Sequence, residues 1–227
     1  MISVAIDGPA GAGKSTIAKR AAAALSYIYV DTGALYRTVA FSLLERKIDL
    51  SDPAAVEAAL PEVRVDIRYA GTEQRMLLSG KDVSDRIRTP EVSMAASTVS
   101  AQPAVRAFLL EMQRALARSH NVIMDGRDIG TVVLPGAAVK IFLTASPEER
   151  AGRRYRELVE KGEQVTFAKV LDDLEQRDYQ DSHREVAPLR PADDAVTVDT
   201  TGLSLEQSVE AVLSVVRKKL DERGRAE

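Results

Sequence analysis

A chain of 227 residues is long enough for one substantial core, with room for a subsidiary insert. It contains no cysteine, which excludes a disulfide framework and any thiolate metal or nucleophile chemistry. Hydrophobic residues at 45%, charged residues at 29% and a net charge of −3 describe an ordinary globular chain with no broad basic surface for nucleic acid.

The charged N-terminal region argues against a signal peptide, and no apolar run approaches membrane-spanning length. The expectation is therefore a cytoplasmic protein with neither a membrane nor a nucleic-acid partner. No large apolar face is left over, so a monomer is expected.

The chain opens on a short apolar run, Ile2 to Ile6, suited to a buried strand. Gly8-Pro9-Ala10-Gly11-Ala12-Gly13-Lys14-Ser15-Thr16 follows, and Ile17 to Leu25 is Ala-rich and helix-forming. The stretch fits G-x-x-x-x-G-K-[ST] in the strand–loop–helix setting that motif requires. Glycines let the backbone close on a polyphosphate, and a helix N-terminus offers free N–H groups to it. Lys14 is then placed for the β- and γ-phosphates of a nucleotide such as ATP, and Ser15 for Mg²⁺.

Tyr27 to Asp31 predicts a second buried strand, and Ala34 to Lys47 a helix with Leu35, Val39, Leu43 and Leu44 on one stripe. Asp52-Pro53 opens a short helix that Pro61 closes. Val63 to Tyr69 then alternates apolar and polar like a one-sided antiparallel strand. Ala70 to Gln74 fits a hairpin loop, Arg75 to Leu78 a return strand, and Ser79 to Asp82 another turn.

Pro90 starts a further helical piece, and Gln102-Pro103 begins a long helix through Val105, Leu109, Met112 and Leu116. Asn121 to Asp125 and Ala138 to Leu143 predict two more buried strands. Pro147 to Lys161 and Thr166 to about Arg184 predict charged helices separated by Gly162, a plausible hinge. Ala195 to Asp199 is the last strand. Ser204-Leu205-Glu206-Gln207 is a capping-box pattern opening the final helix.

Five short apolar strands alternating with helices predict an α/β fold, a parallel sheet between two helical layers, with a small antiparallel insert. Ligands of such sheets sit at the carboxyl ends of the strands. Gly8 to Ser15, Asp31-Thr32 and Asp125-Gly126-Arg127-Asp128 all fall there, which is the structural reason to read them as one site.

Asp125 ends an apolar strand, where P-loop enzymes place the carboxylate that holds Mg²⁺, here expected to act through water. Arg127 and Asp128 follow at once, an arrangement costly to desolvate without phosphate or metal. Arg150, Arg153, Arg154, Arg156, Arg177, Arg184 and Arg190 crowd into one further region. Arg177, Asp181 and Arg184 are spaced i, i+4, i+7, on one face of a helix. That spacing fits a surface ion-pair ladder and a phosphate-binding face equally well.

Four stretches together resemble the bacterial cytidylate kinases, a family of P-loop nucleoside monophosphate kinases. They are Gly8–Thr16, Asp31-Thr32-Gly33-Ala34-Leu35-Tyr36-Arg37, Asp125-Gly126-Arg127-Asp128-Ile129-Gly130-Thr131, and Arg177 through Ala187-Pro188-Leu189. The third is the most diagnostic, and the resemblance runs nearly end to end.

It implies a three-layer nucleoside-kinase fold and transfer of a phosphoryl group from ATP, with Mg²⁺, to CMP or dCMP. It also implies that Tyr36, Arg37, Arg127 and Arg184 surround the acceptor phosphate, while Ser97, Arg106 and Asp128 face cytosine. Arg177 and Asp181 would face the sugar. Thr32 stands in the substrate site where some members have serine, and residues 150 to 156 belong to the lid. The catalytic set implied is Lys14, Arg127, Arg154 and Arg184. The division expected is a core of residues 1–60 and 121–227, with a lid at about 150–165 and an acceptor-binding insert at 61–120.

Overall fold

The computed structural model describes residues 1–71, 73–160 and 162–225. Thr72, within the hairpin loop expected at 70–74, and Lys161, the expected last residue of a helix, lie outside the described residues.

Strands β1 (Ser3–Asp7), β2 (Ile28–Asp31), β6 (Val122–Gly126), β7 (Val139–Thr144) and β8 (Val196–Asp199) form one sheet in the order β2-β6-β1-β7-β8. Every neighbouring pair is parallel. Strands covered on both faces need apolar side chains on both, which explains the unbroken runs in the sequence. Val4 and Ile6 point into a cluster with α1 (Lys14–Leu25) and α8 (Leu205–Gly224), through Ile17, Ala21, Val212 and Val216. Ala5, Val122 and Met124 point the other way, against Leu110 and Leu116 of α5 (Pro103–Ser119). Each fully buried Val, Leu or Ile contributes about 1.5–3 kcal/mol.

The remaining helices are α2 (Thr32–Glu45), α3 (Pro53–Ala59), α4 (Pro90–Ser100), α6 (Pro147–Glu160) and α7 (Phe167–His183). The insert is the antiparallel sheet β3 (Val65–Ala70), β4 (Glu73–Leu78) and β5 (Lys81–Asp82). The third strand, only two residues long, replaces the simple turn expected at 79–82. It is held by Leu77↔Asp82 and Leu78↔Lys81 pairing and by the Arg75 guanidinium on Asp82. The insert does not stand apart, since Val65, Met76 and Val83 share one apolar cluster with Leu35, Val39 and Leu43 of α2 and Val56 of α3.

Helix α7 stops at His183. Arg184 leaves it with φ −63° and ψ 142°, and Ala187 takes the unusual φ of 52° just ahead of Pro188. The single helical face predicted for Arg177, Asp181 and Arg184 therefore holds only for the first two. The Leu189 N–H on the Asp181 carbonyl, at 2.7 Å, folds the chain back instead. A π-helical turn at Ile129–Val133 was also not anticipated. The capping box at Ser204 is formed in full.

Strand register brings the polar ends together. Asp31 pairs with Asp125 and Asp7 with Gly126, so the acids of three strands emerge along one edge of the sheet. The chain leaves β1 through Gly8, at φ 153°, so close to β7 that a Cβ there would lie 2.0 Å from the Leu143 carbonyl oxygen. That contact is with backbone, which cannot rotate aside. Gly8→Ala is expected to lose about 3 kcal/mol or more of stability, read as a lowered midpoint in urea unfolding.

Candidate active site

The first helix of the core begins without a cap. Gly13, at φ 84°, occupies the N-cap position of α1 and no side chain bonds the exposed amides. A left-handed residue there lets the loop turn into the helix with its N–H groups directed outward, a ready anion cradle. Lys14 lies buried beneath the loop and donates to the Pro9 carbonyl at 2.6 Å. Burial, reinforced by Arg127, pushes its ammonium well below the usual lysine range. Asp125 and Asp181 oppose that shift without outweighing burial, and a polyphosphate would add the negative charge this cation is short of.

Ser15 Oγ donates to Asp125 Oδ2 at 2.9 Å, and Tyr29 Oη donates to Asp125 Oδ1 at 2.9 Å. Burial, with Asp31 adding repulsion, raises the Asp125 carboxyl to about 6. The hydroxyl and the carboxylate are hard oxygen donors, and burial beside Asp31 leaves the carboxylate charge poorly stabilised despite Lys14. The pair therefore fits a small divalent cation.

Because the folded-state pKa lies above the unfolded value, folding favours neutral Asp125. That contribution is complete below about pH 4 and is lost as pH rises through about 6. Asp125→Asn removes the ionisation. It is expected to raise ligand-free stability at pH 8 by about 1–3 kcal/mol while depressing turnover, as read by paired melts at pH 4 and 8 and by activity assay.

Asp7 and Asp31 organise the neighbouring loops. Asp7 accepts from the Ile129 and Gly130 amides, both at 2.7 Å, and so fixes the π-turn that follows Asp128. Burial raises Asp7 to about 6 despite these two bonds. Asp31 caps α2 through Ala34 N–H at 2.9 Å and holds Arg37 at 2.9 Å. Gln74 of β4 grips the backbone of Asp31 from the insert, accepting from its N–H at 2.8 Å and donating to its carbonyl at 3.2 Å.

Across the sheet edge lies a group of arginines. Arg127 Nε donates to Asp181 at 2.7 Å, and Arg106 forms a buried hydrogen-bonded ion pair with Asp128. Arg184 Nη2 stands 3.6 Å from Asp128, too far for a hydrogen bond. Burial and then Arg127 push the Arg177 guanidinium down to about 10. Although burial opposes ionisation of Asp181, Arg127 and Arg177 hold its carboxyl below the usual range. Among the described residues, Arg37 Nε, Arg177 Nε and Arg184 Nη2 are buried without a hydrogen-bond partner. Buried charged donors left unsatisfied are expensive, and several aimed at one space mark an anion site.

Loop residues between Ala10 and Thr16, Asp31, Asp125, Asp128, Asp181 and these arginines line one cleft of about 940 Å³. Eight arginines and Lys14 face six carboxylates in it, a local excess of positive charge on a chain of net charge −3. Of the loop residues expected at the nucleotide, Ala10, Gly11, Gly13, Lys14, Ser15 and Thr16 reach the cleft. Gly8, Pro9 and Ala12 lie behind them. Every residue expected at the acceptor is on the lining: Thr32, Tyr36, Arg37, Ser97, Arg106, Arg127, Asp128, Arg177, Asp181 and Arg184. Thr32 donates its hydroxyl to the Asp125 carbonyl at 2.7 Å, so its proton is already committed. Arg106 lies over the Tyr36 ring, 5.6 Å from its centre.

Arg154 lines the cleft too, with its guanidinium 2.8 Å from Glu157. Arg150, read from sequence as the start of the lid, is buried beneath the loop. It donates to the Ala145 carbonyl at 3.0 Å and the Ala10 carbonyl at 2.9 Å, and pairs with Asp178. Arg153 bridges the Ala12 and Thr200 carbonyls. Leu203, Ser204, Leu205 and Ser208 complete the lining. The sequence reading passed over Asp7, Asp178 and this last group. For Asp7 a signal was present, since it ends a buried strand as Asp125 does.

The family model for cytidylate kinase matches residues 4–218. The cytidylate kinase of Carboxydothermus hydrogenoformans is 49% identical over 218 residues, covering 96% of this chain and 98% of that one. The Bacillus cereus cytidylate kinase is 47% identical over 215 residues, 95% and 96% of the two chains. A crystal structure of an uncharacterized protein from Eubacterium ventriosum superposes with a TM-score of 0.53 at 11% identity, over 94% of this chain and 97% of that one. At such identity it speaks for the fold alone. Loop, strand-end acids and arginine cluster all fall inside the matched span, and the chain belongs to the cytidylate kinase family.

Proposed function

We infer that this chain transfers the γ-phosphoryl group of ATP to CMP or dCMP, releasing ADP and CDP or dCDP. The observation that carries the reading is a single cleft lined both by Lys14, Ser15 and Thr16 and by the buried Arg106–Asp128 pair. One end suits a polyphosphate and the other a base with a hydrogen-bond donor. A phosphate oxygen of the acceptor attacks the γ-phosphorus in line. The bridging bond to the β-phosphate breaks, and its electron pair leaves on ADP.

The protein's part is position and positive charge. Lys14 bridges the β- and γ-phosphates of ATP. Tyr36, Arg37, Arg127 and Arg184 hold the acceptor phosphate. Arg154 reaches toward the transferring group from α6. Arg177 and Asp181 meet the sugar, and Ser97, Arg106 and Asp128 the cytosine. Cytosine offers an N4 amino donor where uracil offers an O4 acceptor, so a carboxylate selects the first and opposes the second. Ser15 and, through water, Asp125 are the residues that would hold Mg²⁺, which offsets phosphate charge when bound.

Residues 61–120 serve as the acceptor-binding region and about 150–165 as the lid of a core built from 1–60 and 121–227. The setting that fits is the cytoplasm, with a monomer as the working unit. Among the described residues no helix is long and apolar enough to cross a membrane. The test is an initial-rate comparison of CMP, dCMP, UMP and AMP with ATP and Mg²⁺. Turnover of CMP and dCMP well above UMP and AMP is expected, and equal turnover of all four would refute the reading.

A further inference from the structure

Helix α7 is fastened at two points one turn apart, and the two fastenings serve opposite ends of the cleft. At Asp178, Oδ1 accepts the Ala10 amide at 3.2 Å and Oδ2 accepts from Arg150. Arg150 donates in turn to the Ala10 carbonyl at 2.9 Å. Both backbone polar groups of one P-loop residue are thus held by the two charged helices. Ala10 also packs against Ala151, Val170 and Leu174. A Cβ on the next residue, Gly11, would lie 3.1 Å from the Arg150 carbonyl, so loop and helix are in close contact there. Three residues beyond Asp178, Asp181 holds Arg127 at 2.7 Å, and Arg127 adjoins Asp128.

The rest of this segment faces the acceptor end. Arg177 lines the cleft beside Asp181, whereas Asp178 is absent from the lining and turns toward the loop. Residues three apart on a helix move together as one rigid turn. A shift of the loop on taking up a polyphosphate would therefore be passed through Asp178 to Asp181 and Arg127.

We propose that Asp178 is a positioning residue that keys the nucleotide-binding loop to α7 and so makes occupation of the donor site tighten binding at the acceptor site. The proposal rests on the reading that two nucleotides share the cleft. Coupling between sites is reciprocal and, where present, is commonly about 5- to 150-fold.

The measurement is the CMP dissociation constant by titration calorimetry, with and without saturating Mg²⁺ and the β,γ-imido analogue of ATP. In the wild type the analogue is expected to tighten CMP about fivefold or more. In Asp178→Ala, CMP alone is expected to bind within about twofold of wild type while the tightening by the analogue falls below about twofold.

Asp178→Asn, which keeps the volume and one acceptor but loses the charge facing Arg150, is expected to fall between them. It also keeps the test open should the alanine variant not fold. A merely structural role predicts the converse, with weaker CMP binding alone and an unchanged ratio, and that result would overturn the proposal. So would a wild type without coupling. Failure of the underlying reading is separable, because it shows as a wild type that does not phosphorylate CMP at all.

Discussion

Replacing Lys14 with alanine is expected to lower kcat with CMP by about 10³-fold or more, with stability preserved or improved. Two opposed consequences of one placement give this result. In the ligand-free protein the ammonium is buried, held by a single carbonyl and pushed below its ordinary pKa, so its removal relieves a desolvation cost. With nucleotide present the same ammonium stands beneath the loop whose amides face the phosphates. Its loss then falls on the transition state, where negative charge moves onto the bridging oxygen. Initial rates beside thermal melts check both halves. A variant retaining more than about a tenth of wild-type kcat would show that Lys14 does not serve the transferring phosphates.

The second large effect concerns the choice of base. Asp128→Ala is expected to lower the preference for CMP over UMP in kcat/KM by about 10²-fold, chiefly through CMP. Asp128 is buried and ion-paired with Arg106, and Arg184 stands near it without a hydrogen bond. Truncation therefore strands a buried guanidinium and should cost about 3–5 kcal/mol of stability as well. Asp128→Asn separates the two effects. It keeps the shape and an acceptor oxygen for Arg106, but its amide group can donate to uracil O4, so the preference should still collapse while most of the stability returns. An unchanged CMP:UMP ratio in both variants would remove Asp128 from base selection.

What the sequence disclosed follows from how far apart the interacting residues lie along the chain. The glycine loop is a contiguous motif whose meaning is carried by neighbours, and the five apolar runs became the five parallel strands. The ends of those runs, Asp31 and Asp125, meet in register because parallel pairing aligns strand termini. The capping box at Ser204 is likewise local, and it formed.

The parts that were not legible depend on distant partners. Asp178 bonds an amide 168 residues away, and nothing in the local pattern of α7 distinguishes it from its charged neighbours. Arg150 carried the same signature as Arg153 and Arg154, yet it is the one enclosed between loop and helix. Arg184 was assigned to a helical face by spacing alone. The return of Leu189 onto the Asp181 carbonyl ended that helix a residue early while leaving Arg184 on the cleft. The π-turn after Asp128 exists because Asp7, 122 residues earlier, takes two consecutive amides. Periodicity carries no trace of that.

The charged hairpin formed by α6 and α7 is clamped at its root. Arg150, at the start of α6, and Asp178 and Asp181, near the end of α7, are all anchored, while a Cβ on Gly162 at the far tip, with φ 81°, would meet no neighbour within 4 Å among the described residues. Such a hairpin behaves as a cantilever, whose deflection grows with distance from the wall. Arg154 sits a single turn from the fixed end, whereas Val159, exposed, lies near the tip. If this hairpin serves as the lid proposed above, its solvent-facing tip is the part free to move and Arg154 the part held in place.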